Sequence, residues 1–176
     1  PNGIIGEKDA CGVGFIANVE GIESNWILKQ SLKGLNCMEH RGGCGGDSDS
    51  GDGAGILCSI PWGYLEEKIN LKNTQEFNRG LGMVFMPNKK EKIEICKSIC
   101  DQEAEKLKVN KTSWRTVPVN NEILGPLAKA NAPFICQWIL YIDKKDHKDV
   151  EKLLFQLRKR IEKKIRETFK NDVGDC

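Results

Sequence analysis

Hydrophobic positions recur along this chain with two periods, and the switches between them mark its elements. In 11–19, "CGVGFIANV", the residues are small or β-forming, and a buried strand is expected. Ser24 stands where a cap is wanted, ahead of Ile27, Leu28, Ser31, Leu32, Leu35 and Met38 at helical spacing, which predicts a helix to about Met38. The stretch 41–55, "RGGCGGDSDSGDGAG", has no apolar period and reads as a long glycine-rich loop. "GILCSI" then reads as a strand closed by Pro61, and "GLGMVFM" as another closed by Pro87.

Further on, "KKEKIEICKSICDQEAEKLK" is an amphipathic helix with Ile95, Ile99 and Leu107 on or near one face. "SWRTVPV" is a short strand and "PFICQWILYI" a longer, more buried one. Asp149 is placed to cap a last helix carrying Val150, Leu153, Leu154, Leu157, Ile161 and Ile165. Strands and helices alternate irregularly, with strands in close pairs, so an α+β architecture is expected over a regular βαβ fold. No repeat or low-complexity tract interrupts the pattern, and the charged end, 170–176, is expected to be flexible.

Composition narrows the function classes. With 39% hydrophobic and 30% charged residues in 176, the chain is globular and long enough for one domain or part of a larger one. Its net charge of +2, from 27 basic and 25 acidic residues, argues against a nucleic-acid partner held by charge. Neither an 18-residue apolar run nor a secretory signal is present in the sequence, so no membrane partner is expected. The eight cysteines include no C-x-x-C pair and are expected to be mostly reduced thiols, as in a cytosolic or similar compartment.

Three places invite chemistry. "DSDSGDG" resembles a calcium loop, but counting from Asp47 puts Gly51 fifth and Cys58 twelfth, where the ion needs oxygen ligands. A turn whose aspartates bond backbone amides is the better reading. Cys96 and Cys100 lie one helical turn apart, and His40 and Cys44 are four apart, but a metal wants three or four convergent ligands. Cys96 and Cys100 have apolar neighbours and are expected in the core, so no metal site is assigned.

The third is Cys11. A thiol with an ordinary pKa of ~8.5 is mostly protonated at neutral pH and needs a base. His40 could supply one; His147, in the charged run "KKDHKD", is a poor candidate. Cleavage before Cys11 would instead create an α-amine of pKa ~7.7–8.0 in the same residue as the thiol. On these residues alone a buried structural cysteine is the simpler reading.

"EKDACGVGFIANV", "CMEHRGGCGGDSDSGDGAGILCSIPW" and "SWRTVPVNNEILGPLAKANAPFICQWIL", with "FQLRKRIEKKI", resemble the N-terminal amidotransferase domain of glutamate synthase large chains. The likeness runs over about 6–165, and "GCGGDSDSGDGAG" and "IPWGY" are more similar to the ferredoxin-dependent branch than to the NADPH-dependent one. The resemblance implies an N-terminal nucleophile hydrolase, a four-layer αββα sandwich present here in part. It implies a propeptide remnant in 1–10, the front of a type-2 glutamine amidotransferase domain in 11–169, Cys11 as nucleophile and Arg41 as the holder of the substrate α-carboxylate.

L-Glutamine is then the substrate, and the remaining synthase domains and ferredoxin are partners. FMN and an iron–sulfur cluster are implied for the full-length enzyme and none for this segment, in cytoplasm or plastid stroma. The family's Asn–Gly oxyanion pair and its amine-binding aspartate have no counterpart in this sequence. The isolated chain is therefore expected to be incomplete and inactive. The alternative is a non-catalytic truncated domain serving as a binding or assembly module, and restoring the downstream sequence and assaying ammonia release separates the two.

Overall fold

The computed structural model describes residues 12–38, 42–43, 47, 49–51, 53–70, 76–109, 111–143 and 146–170. They fall in two compact units, Pro1–Ser59 with Asn120–Asn131, and Ile60–Val119 with Ala132–Cys176.

The second unit is built on a sheet of β1 (Phe77–Met86), β2 (Lys111–Thr116) and β3 (Phe134–Asp143), antiparallel in the order β1-β3-β2. The central place of β3 follows from its sequence, because the run "FICQWILYI" suits a strand covered on both faces. Gly80 pairs with Leu140 and Trp114 with Trp138, so even-numbered residues share one face and odd-numbered ones the other.

The even face is covered by α3 (Lys90–Lys106) and α5 (His147–Thr168). Trp138, Leu140 and Ile142 pack there with Cys100, Val150 and Leu157. Met86 and Cys136 pack with Ile93 and Cys96 in a neighbouring cluster. Helix α3 buries Ile93, Cys96, Ile99, Cys100, Glu103 and Ala104, a stripe spaced by three and four residues. Gly80 lets α5 come close: a β-carbon there would stand 2.9 Å from a Leu154 methyl.

On the odd face, α2 (Trp62–Lys68) buries Leu65. Its Glu66 bonds Arg79 at 2.8 Å, whose guanidinium lies 4.8 Å from the Trp62 ring centre. Tyr141 is buried here, and its hydroxyl has no hydrogen-bond partner among the described residues. Burial first, and the nearby Glu66 carboxylate second, push its pKa upward.

Polar groups join these layers. The Asp101 carboxylate accepts from Thr112 Oγ1 at 2.8 Å and from the indole nitrogens of Trp114 and Trp138 at 3.0–3.1 Å. Those two rings stack with centres 5.3 Å apart. Glu103, buried in the apolar stripe of α3, accepts from Lys106 and from Arg160 of α5.

The first unit holds α1 (Asn25–Cys37), a 3-10 turn (Asn121–Ile123) and α4 (Pro126–Ala130). Ser24 caps α1 as expected, its hydroxyl accepting from Ile27 N at 3.4 Å.

Several expectations are corrected. Neither 12–19 nor 55–60 is in a strand, and Val13, Phe15 and Leu57 are more than nine-tenths exposed. Their residue types suit a pleated chain, but a strand also needs a hydrogen-bonded neighbour, and no pairing holds these among the described residues. The last helix starts at His147 after Asp146, and Asp149 sits in its first turn, where a carboxylate still favours the helix dipole. Ile95 is exposed, being off the stripe centred on Cys96 and Ile99. The expected flexible end falls, from 171 on, outside the described residues. An α+β arrangement with a small antiparallel sheet is what the described residues form.

Candidate functional site

Cys11, Arg41, His40 and Cys44 lie outside the described residues; what flanks them is described. After Cys11 the chain runs exposed and irregular through Gly12–Asn18. After Arg41 it reaches Gly43, whose carbonyl oxygen would stand 3.2 Å from a β-carbon on Gly51. Two points within the glycine-rich loop are thus in close approach, and the missing side chain at Gly51 permits it.

The acidic loop does what its composition suggested. Asp47 Oδ1 accepts from Ser50 N at 2.6 Å, and Asp47 Oδ2 accepts from Ser50 Oγ at 2.9 Å. The same Oδ2 also accepts from Leu127 N at 2.9 Å, and Ser50 Oγ accepts from Ala128 N at 3.1 Å. Two N–H groups of the first turn of α4, which a helix leaves without internal partners, are thereby satisfied from 78–80 residues away. Gly125 supplies no side-chain cap and Pro126 has no N–H, so the cap comes from this loop. The amide donors, Leu127 N foremost, hold the Asp47 carboxyl below the usual carboxylate range.

Sequence reading found the aspartates but missed their distant partner. The signal available was "GPLAKA", a helix start with proline at its first position and no Ser, Thr, Asp or Asn before it.

The thiols divide sharply. Cys96, Cys100 and Cys136 are buried, as expected for Cys96 and Cys100, whereas Cys37 and Cys58 are exposed. Burial, with Asp101 and Cys96 adding to it, pushes the Cys100 thiol up to about 12. A thiol so protonated is a packing group and a poor nucleophile. His147 begins α5 in the other unit, at the surface. Among the described residues no three His, Cys, Asp or Glu side chains are grouped to share a metal ion. No described helix is long and apolar enough to cross a membrane.

The family of class-II glutamine amidotransferases matches residues 11–173. This chain belongs to that family.

The amidotransferase chain is also 40% identical over 166 residues to the ferredoxin-dependent glutamate synthase 1, chloroplastic/mitochondrial, of Arabidopsis thaliana, covering 92% of this chain and 10% of the relative. It is 40% identical over 170 residues to ferredoxin-dependent glutamate synthase 2 of Synechocystis, covering 94% and 11%. With the ferredoxin-dependent glutamate synthase of Antithamnion it shares 39% over 168 residues, 92% and 11%. The amidotransferase chain thus spans about a tenth of the length of the curated relatives it matches.

Proposed function

We propose that this chain is the front of the glutaminase domain of a ferredoxin-dependent glutamate synthase, with Cys11 as its nucleophile. The observation that carries the reading is the family match, which begins at Cys11 and runs to residue 173. The ferredoxin-dependent relatives support the branch.

In this reading 1–10 are removed, and Cys11 becomes an N-terminal residue with a free amine. The amine takes the thiol proton as sulfur attacks the side-chain carbonyl carbon of glutamine. It returns that proton to the departing nitrogen, ammonia leaves, and a glutamyl thioester remains. Water, deprotonated by the same amine, then releases glutamate. Arg41 holds the α-carboxylate with two parallel N–H donors, which fixes the carbonyl over the sulfur. With the peptide bond before Cys11 intact the nitrogen is an amide and cannot act as base.

The ammonia is used elsewhere in the longer protein, with 2-oxoglutarate and reduced ferredoxin, to form a second glutamate. FMN and the iron–sulfur cluster belong to that remainder, and no step above runs through them. The oxyanion donors are also assigned there, and the expected fold is the αββα sandwich of N-terminal nucleophile hydrolases. The compartment is cytoplasm or plastid stroma.

Substituting Cys11→Ala in the full-length enzyme tests the assignment. Ammonia release from glutamine should fall by about 10³-fold or more. Retained release would place the nucleophile elsewhere.

A further inference from the structure

We propose that the open edge of β1, with the groove beside it under α5, receives a strand formed by the stretch of the longer protein that follows residue 176. The proposal rests on the reading of this chain as the front of a longer one, and adds where the next piece docks.

The hydrogen-bond pattern shows which groups the edge offers. Val117 N donates to Ile135 O at 3.0 Å, continuing the register that pairs Thr116 with Cys136. Odd-numbered residues of β3 therefore turn their N–H and C=O groups toward β2, and even-numbered ones toward β1. In β1 the even residues Gly80, Gly82 and Val84 answer β3, so Leu81, Met83 and Phe85 turn theirs to the open side. Among the described residues nothing bonds that row, and such a row is a template for a further strand.

A cavity of about 520 Å³ lies along this edge, lined by Leu81, Met83, Val84, Leu154, Phe155 and Ile161 among others. Met83 and Phe155 are about half exposed although apolar. Apolar side chains projecting from an added strand toward α5 would fill the cavity and cover this surface.

The path of α5 says which segment arrives. Leu154 lies against Gly80, near the start of β1, whereas Ile165 and Phe169 pack with the cluster of Met86, at its end. Helix α5 thus runs in the direction of β1, and the chain leaves it beside the Met86 end of the edge. A strand entered from there runs antiparallel to β1 and parallel to β3.

Handedness separates the two edges of the sheet. Seen from α5 with β3 running upward, an L-residue whose side chain faces the viewer points its N–H and C=O to the right. Even residues of β3 face α5 and bond β1, so β1 stands to the right of β3. Crossing in front through α5 to a parallel strand beyond β1 is then right-handed, the form of about 98% of such connections. A strand added beyond β2 would be left-handed. The matched relatives have the chain to supply it, since this one covers 10–11% of each.

Hydrogen exchange in the full-length enzyme, resolved to single residues, tests the edge. The amides of Leu81, Met83 and Phe85 should exchange within about tenfold of those of Gly82 and Val84, which β3 already holds. A wider gap, with the odd-numbered amides faster, would leave β1 open and overturn the proposal. The occupant is identified with p-benzoylphenylalanine in place of Phe155 in the same enzyme, or in place of Glu151 in the same groove where the first variant is insoluble. Irradiation should join it to a peptide within about 25 residues after 176, the length of a connection and a strand. A crosslinked dimer would put a second copy on the edge and overturn the proposal, as would crosslinks confined to β1 and α5 or to a later region. Ammonia release by the Cys11→Ala enzyme judges the glutaminase reading separately: its failure leaves the exchange pattern of β1 as it is, and an open β1 edge leaves Cys11 in its role.

Discussion

Gly125 stands so close to Ser50 that a β-carbon added to it would lie 2.5 Å from the serine hydroxyl oxygen and 2.6 Å from its backbone nitrogen. Real β-carbons do not approach that closely, and the backbone atoms on the far side cannot swing away. Gly125→Ala should therefore cost about 1–3 kcal/mol through overpacking and part Ser50 from α4. Hydrogen exchange in the full-length enzyme checks this: the Leu127 and Ala128 amides should lose protection, with α3 and α5 unaffected.

Asp101 organises the even face of the sheet. Replacing it with alanine leaves the indole N–H groups of Trp114 and Trp138 without their shared acceptor, and Trp138 is 4% exposed. A loss of about 2–3 kcal/mol in the stability of this unit is expected. Tryptophan emission should shift as the stacked pair loosens, and Asp101→Asn, which keeps one acceptor, should lie between the two.

Glu103 gives a pH dependence of known sign. Its bonds to Lys106 first and Arg160 second hold its carboxyl below the ordinary carboxylate value. The stability it adds is present above about pH 4.3, the unfolded value, and is lost as pH falls through the lower folded value. The gap in denaturant resistance between the native chain and Glu103→Gln, read by hydrogen exchange in α3, should narrow on acidification. A gap independent of pH would contradict the pairing.

Thiol reactivity should follow burial. At pH 8, Cys37 and Cys58, which are exposed, should alkylate about 10²-fold faster or more than Cys96, Cys100 and Cys136. Peptide mass spectrometry after brief treatment with iodoacetamide measures this directly. Rapid labelling of Cys100 would mean that the α3–sheet core opens readily.

The core of the sheet unit was legible because its periods are strong. "FICQWILYI" became the central β3, "GLGMVFM" lies within β1, and Cys96 and Cys100 fell on the buried stripe of α3. Pattern failed where structure depends on a partner far along the chain. Val13, Phe15 and Leu57 have the chemistry of strand residues, yet pairing is a property of two segments, and period alone cannot supply the second. The cap of α4 was hidden for the same reason, since its acceptors come from Asp47 and Ser50, 78–80 residues earlier. Cys11 and Arg41 were singled out through motif likeness alone, because neither belongs to a hydrophobic period that would mark it.

The central claim is that Cys11 becomes the N-terminal nucleophile of a glutaminase site. The most direct measurement is to treat the mature full-length enzyme with a diazoketone analogue of glutamine, digest it, and locate the adduct by mass spectrometry. The account predicts one adduct per chain, on Cys11, in a peptide whose first residue is Cys11. An adduct on another cysteine, or rapid labelling of Cys11 with 1–10 still attached, would contradict it.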